Sequence, residues 1–280
     1  MGRPDGKRLK NLSVEYLVAA HIMAKRSDAM NMTRLDIPIE PIRRYLNAKR
    51  KEGKRYGHLT VMIAAIIRTI AKYPGLNRFV VNKRIYARNE VAIGMVVLKN
   101  GRIDEIGTTS KMKFKLDYTI EDVDRVINEY VEKNRSPEDE NSTDKIAKFL
   151  TSAPGLLRFG VNLMKFMDNH NLMPKAIVEA SPFHCTMMLT NLASIKTNYI
   201  YHHAYDFGTC SLTLAMGQLT DIPTTKKGEV VVERCMPLGL VMDERIASGA
   251  YFAMAFHYFQ KLIADPTLLE SPPEEINTEI

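Results

Sequence analysis

Residues that could do chemistry gather in three stretches of this chain. The first, Asp243-Glu244-Arg245-Ile246-Ala247-Ser248-Gly249, sets acidic and basic side chains between an apolar strand-like run and an apolar helix-like run. Charges at such a junction either end a strand in solvent or shape a site that moves protons or holds an anion. Ser248 reads first as a helix N-cap, its hydroxyl accepting a backbone N–H, with Gly249 following at no steric cost. The second stretch, His202-His203-Ala204-Tyr205-Asp206-Phe207-Gly208, spaces an imidazole and a carboxylate for acid-base work. The third, Arg43 to Arg55, holds seven basic side chains against the single acid Glu52. It reads as a solvated helix end and loop, with a site for phosphate groups as the second choice and nucleic acid as the third.

The rest of the sequence narrows the chemistry. No nucleophile elbow, Walker-type phosphate loop, HExxH or glycine-rich dinucleotide fingerprint occurs. Cys185, Cys210 and Cys235 form no C-x-x-C pair and the N-terminus is not signal-like. Neither a disulfide framework nor a metal site is therefore expected, and a reducing, cytoplasmic setting is. His184 and His257 read as packed structural histidines, and Cys185 and Cys210 as packing residues. The longest apolar run, Val61 to Ile67, falls far short of the roughly 20 residues a membrane span needs. A formal charge of +7 invites a polyanion. No zinc finger, RNA-recognition signature or aromatic-basic interleaving accompanies it, so nucleic acid is not an expected partner.

Positioning these residues requires helices and strands in mixed order. Helical spacing covers Leu12 to Arg26, the stretch from Glu40 to Glu52, Leu59 to Tyr73 and Ile120 to Lys133; the third is apolar nearly all round and should be buried. Strand patterns cover Met30 to Ile39, a tight hairpin of Arg78 to Val81 and Arg84 to Ala87 around Asn82-Lys83, then Glu90 to Leu98 and Lys111 to Leu116 around Asn100-Gly101. Asn134 to Thr143 reads as a loop, and helical patterns broken at Pro154-Gly155 continue through Met167. Strands are expected at Ile177 to Glu179, His184 to Leu189, Thr209 to Met216 and Glu229 to Met242, then a helix from Ser248 to Ile263 that a deep core or a second chain must cover. Without regular βαβ alternation, this pattern argues for an α+β sandwich.

Several of these stretches, in the same order, resemble the catalytic domain of the dihydrolipoyl acyltransferases of 2-oxo acid dehydrogenase complexes, relatives of chloramphenicol acetyltransferase. Asp243, Arg245 and Gly249 match the family's D-H-R-x-x-D-G signature, with Glu244 in the histidine place and Ser248 in the aspartate place. Ile22 to Asp28 and the following strand and basic helix resemble the family's opening. His58 to Asn77, closing on Pro74-Gly75-Leu76-Asn77, resembles its buried helix, and Arg84-Ile85-Tyr86 with Glu90 to Gly94 its next strand pair. Met187-Met188-Leu189-Thr190-Asn191-Leu192-Ala193 is similar to its T-I-S-N-L-G strand and turn. The likeness spans roughly residues 12 to 270.

The resemblance implies a chloramphenicol acetyltransferase-like two-layer sandwich with a mixed, mostly antiparallel sheet. It implies one catalytic domain over 12–270, between a basic tail at 1–11 and an acidic, proline-bearing tail at 271–280. It further implies a homotrimer with its active site between subunits, and coenzyme A or acyl-coenzyme A entering a channel opposite the acyl acceptor, without a metal. Only about 11 residues precede the first helix, so no lipoyl attachment domain is expected there. Thr190 would be the oxyanion donor and Glu244 would replace the base, with Asp243, Arg245 and Ser248 supporting. An ordinary glutamate at about 4.3 lies roughly four units below a thiol near 8.5, a proton transfer uphill by nearly 6 kcal/mol. Two expectations follow: acyl transfer at a modified site, or a catalytically inactive trimer that binds or assembles.

Overall fold

The computed structural model describes residues 3–97, 108–135, 148 and 150–279. Its main sheet is built from β2 (Met30–Pro38), β5 (Val91–Val97), β6 (Thr108–Phe114), β7 (Met187–Asn191), β8 (Leu212–Met216), β9 (Thr220–Lys226) and β10 (Glu229–Asp243). The strand order is β2-β10-β8-β7-β5-β6, with β9 paired to the first half of β10. β7 runs parallel to β5 and β8, and the other pairs are antiparallel. A second sheet takes the order β1-β4-β3, from β1 (Gly6–Arg8), β3 (Arg78–Val81) and β4 (Arg84–Arg88). The architecture is the α+β arrangement with a mixed, mostly antiparallel sheet that the sequence led us to expect.

Seven α-helices are described: α1 (Val14–Ile22), α2 (Ile39–Lys51), α3 (His58–Lys72), α4 (Ile120–Arg135), α5 (Leu156–Asn169), α6 (Lys175–Ala180) and α7 (Gly249–Ala264). Helices α2, α3, α4 and α7 share one core with Leu212, Leu214, Leu238 and Leu240 on the inner face of the main sheet. α3 is buried from Thr60 to Ala71, as its all-round apolar sequence requires. Ile63, Ile67 and Ile70, each at most 1% exposed, contribute on the order of 2 kcal/mol apiece by leaving water. α7 turns Phe252, Ala255, Phe259, Leu262 and Ile263 into the same core, so the core itself covers its apolar face.

The outer face of the sheet carries a different cover. There Thr213 donates its hydroxyl to the His202 carbonyl at 2.5 Å, and the chain around Tyr199 and Ile200 lies directly on β10. Gly239 makes that approach possible, since a Cβ there would sit 2.2 Å from the Ile200 carbonyl oxygen.

Several expectations are corrected. The basic N-terminus is no tail: β1 pairs with β4, and Arg3 and Asp5 are buried. At the other end Arg78 Nε reaches both carboxylate oxygens of Glu279 at 2.9 and 2.8 Å, and Asn277 N–H reaches the Ala71 carbonyl, so the described part of the C-terminal segment, 271–279, is tied down too. Ile177 to Glu179 lies in α6 rather than a strand, because Pro174 starts a helix there. The strands read as His184 to Leu189 and Thr209 to Met216 start later, at Met187 and Leu212. β1 and β9 carried too little alternation to be read. His257 is exposed on α7, while His184 is buried as expected. The turn at Asn100-Gly101 and most of Asn134 to Thr143 lie outside the described residues.

Candidate active site at the end of β10

β10 delivers Asp243 into the protein and Glu244 to its rim. Asp243 is 1% exposed and takes two parallel hydrogen bonds from Arg245, Nε to Oδ1 at 2.8 Å and Nη2 to Oδ2 at 2.7 Å. Such a fork fixes the turn as well as its charge. Arg26, from the bend after α1, stands on the other side of Asp243, with Nε 3.7 Å from Oδ2. Its guanidinium also donates to the carbonyls of Tyr205 and Gly208. Burial pulls the Arg26 pKa below its usual range, against the opposing charge of Asp243. Two buried guanidiniums thus share one carboxylate, and Arg26 Nε has no hydrogen-bond partner.

Glu244 is half-buried. Its backbone N–H donates to the Ala29 carbonyl at 2.9 Å, and its Oε2 accepts from Asn31 Nδ2 at 2.6 Å. Oε1 has no hydrogen-bond partner among the described residues. The turn is braced further by Arg78, which donates Nη1 to the Ile246 carbonyl at 2.9 Å. Ser248 accepts from the Tyr251 N–H at 3.3 Å and caps α7, the role its sequence position suggested.

Thr190 lies elsewhere. It pairs with Ala215 on β8, which in turn pairs with Gly239 on β10. Glu244 lies five residues beyond Gly239 in the sequence, roughly 17 Å along the strand direction and roughly 10 Å across two strand spacings. The two side chains also face opposite ways. Asn31, across from the core residue Met242, holds Glu244 at the rim of the inner face; Thr190 alternates with the core residue Leu189 and looks outward. One copy of the chain therefore does not bring Glu244 and Thr190 together.

His202 and His203 lie on the outer face, as the Thr213 bond shows, and His202 Nδ1 contacts the His203 carbonyl at 3.0 Å. They do not join the Glu244 carboxylate. His184, at the far end of β7, faces Asp168 and Ser181 instead, 3.3 Å from Asp168 Oδ2 through Nε2 and 2.8 Å from Ser181 Oγ through Nδ1. The site residues not anticipated are Arg26 and Asn31, each more than 200 positions before its partner on the turn, with no local signal to announce the pairing. Among the described residues no cluster of His, Cys, Asp and Glu suits a metal ion, and no helix is long and apolar enough to cross a membrane.

The family model for 2-oxoacid dehydrogenases acyltransferase (catalytic domain) matches residues 187–270, the stretch that holds both Thr190 and Glu244. No curated protein matches the sequence. Among solved structures, a probable dihydrolipoamide acetyltransferase of Listeria monocytogenes is 13% identical, with a TM-score of 0.57 over 92% of this chain and 94% of that one. A truncated catalytic core of the 2-oxoacid dehydrogenase multienzyme complex of Thermoplasma acidophilum is 12% identical, with a TM-score of 0.56 over 92% and 98%. A chloramphenicol acetyltransferase is 9% identical, with a TM-score of 0.55 over 92% and 99%. The fold is that of the chloramphenicol acetyltransferase-like catalytic domains, over nearly the whole chain.

Proposed function

We propose that this acyltransferase-family protein moves acyl groups from coenzyme A thioesters to a thiol or another small acceptor, at a site built from two copies of the chain. The observation that carries the reading is the presentation of Glu244. Its carboxylate is held from one side by Asn31 on a turn pinned by Asp243, Arg245 and Arg78, which leaves Oε1 for a reactant. Thr190, about 20 Å away in the same chain by strand geometry, would come from a neighbouring copy, most simply in a homotrimer.

The reaction would run as follows. Glu244 Oε1 takes the acceptor thiol's proton, the thiolate attacks the thioester carbonyl carbon, and the Thr190 hydroxyl donates to the oxyanion that forms. Collapse expels the coenzyme A thiolate, which takes the proton back from Glu244. A carboxylate is a weak partner for a thiol, by nearly 6 kcal/mol on reference values, so turnover should be slow beside a histidine-bearing relative's. The Asn31 contact favours a second reading, in which the carboxylate is a fixed structural acceptor and the chain is a catalytically inactive homologue that binds or assembles.

Release of coenzyme A thiol from acetyl-coenzyme A, followed with a range of thiol acceptors, separates the two. Wild-type turnover above buffer, abolished by Glu244→Gln and by Thr190→Val, supports the enzyme. Turnover equal to buffer, with thermal stabilisation by acyl-coenzyme A, supports the inactive binder. In that case Glu244→His with Ser248→Asp should create activity.

A further inference from the structure

We propose that Cys185 and Cys210 form a reversible disulfide driven by peroxides, one that ties the start of β7 to the start of β8. The two strands run parallel, and their pairing begins with Met187 opposite Leu212. Cys185 and Cys210 each stand two residues ahead of that pair, so the register sets them side by side. The approach segments are held together as well: the Phe183 carbonyl accepts from the Thr209 and Cys210 N–H groups at 2.9 and 3.1 Å. Gly208, at φ 86°, lets the two chains touch, since a Cβ there would lie 2.4 Å from that same carbonyl oxygen. Both side chains are buried in one small cluster against Ala92. Neighbouring strands put their backbones about 4.8 Å apart, inside the roughly 4.4–6.8 Å between Cα atoms that a disulfide spans. Closing the bond therefore asks for side-chain rotation rather than backbone movement.

The surroundings divide the labour between the two sulfurs. Arg26 donates to the Gly208 carbonyl at 3.1 Å, and Arg88 to the Thr209 carbonyl and hydroxyl at 2.8 and 2.9 Å, so two guanidiniums flank the segment that bears Cys210. As a neutral thiol Cys210 donates to the Leu212 carbonyl at 3.1 Å; ionised, it accepts from Cys185. That hydrogen bond, with Arg26 and Arg88, outweighs burial and pushes the Cys210 thiol down to about 7. Burial and the neighbouring Cys210 push Cys185 up, so it keeps its proton. Arg88 and Lys111, which face Cys185, also line a cavity of about 270 Å³ that brings a small oxidant to their far side. The Cys210 thiolate attacks the peroxide, whose O–O bond breaks; Cys210 becomes a sulfenic acid, and the leaving oxygen takes the proton that Cys210 gave up. The Cys185 sulfur then displaces the sulfenic oxygen, which departs with the Cys185 proton as water. Two thiols and one peroxide thus become one disulfide, one alcohol and one water, the sulfurs giving up two electrons in all.

The bond would close the loop that carries Thr190 and the His202-His203 stretch. It goes beyond acyl transfer and needs neither Glu244 nor coenzyme A. Peptide mapping tests it: the folded protein is treated with hydrogen peroxide, quenched with catalase, unfolded in an alkylating agent and digested. In the wild type we expect Cys185 and Cys210 to leave the alkylated pool together as one linked peptide pair, with Cys235 still alkylated, and dithiothreitol to restore both. Cys185→Ser should instead hold a Cys210 sulfenic acid that dimedone labels, whereas Cys210→Ser should be labelled at Cys185 at least about tenfold more slowly. Wild-type protein in which both thiols are still alkylated, are linked to Cys235 or to a second chain, or are oxidised singly to sulfinic acid overturns the proposal. Equal labelling of the two variants overturns the choice of Cys210 as the attacking sulfur. Because the linked peptide is read on the wild type, a variant that fails to fold leaves the main result standing.

Discussion

Two buried charge clusters fasten this molecule, and they differ in what they leave over. In the first, Arg3 forks onto Asp5 at 2.9 and 3.2 Å, reaches Asp168 at 2.7 Å, and is joined by Arg88 3.8 Å from Asp5. Two arginines meet two aspartates, and the cluster locks the N-terminus to the end of α5. In the second, Arg26 and Arg245 meet Asp243 alone. There the surplus charge faces a pocket on one side, while Glu244 stands half-buried on the other. Burial costs a lone charge heavily and a matched pair less. A balanced cluster is therefore a fastener, while the unbalanced one braces the turn that presents Glu244.

The sharpest way to break this contrast is Asp243→Asn, which strands two buried guanidiniums. We expect a loss of about 3–5 kcal/mol in urea unfolding. Asp168→Asn should cost less, about 1–3 kcal/mol, because Asp5 still holds Arg3; a larger loss than at Asp243 would reverse the assignment of roles.

Acid should act on the first cluster in a defined direction. Burial works to raise Asp5 and Asp168, but Arg3 on Asp5, and His184 with Arg3 on Asp168, outweigh it and hold both below the ordinary 3.8. Their contribution is therefore fully present above pH 3.8 and is lost as pH falls through the folded values. Melting temperature should drop in that window in the wild type and less in Asp168→Asn. Ser248→Ala removes the α7 cap and should cost about 1 kcal/mol. Smallest of all, Glu244→Gln should change stability by less than about 0.5 kcal/mol, since a rim residue with one side-chain hydrogen bond supports little.

The same contrast explains what could be read from the sequence. The buried helix α3, the Asn82-Lys83 hairpin and the order of motifs around Thr190 and Glu244 are local patterns, and local patterns carried the fold. Ser248 was legible as a cap because capping is decided within four residues. The charge clusters were not legible. Arg3 finds Asp168, and Arg26 finds Asp243, across most of the chain, and nothing in the neighbouring residues records either meeting. The basic N-terminus read as a tail for that reason: its arginine and aspartate look solvated until their distant partners are known. Glu244 and Thr190 were named together by resemblance, yet sheet register alone reveals that one chain keeps them apart.

That separation gives the most direct test of the two-copy site. Glu244→Gln and Thr190→Val chains, each inactive alone, are unfolded together, refolded as mixed oligomers and assayed for acyl transfer from acetyl-coenzyme A. If each site takes its glutamate from one copy and its threonine from the next, random mixing at equal amounts restores about a quarter of wild-type turnover. A mixture no more active than either variant, beside an active wild type, would contradict the account.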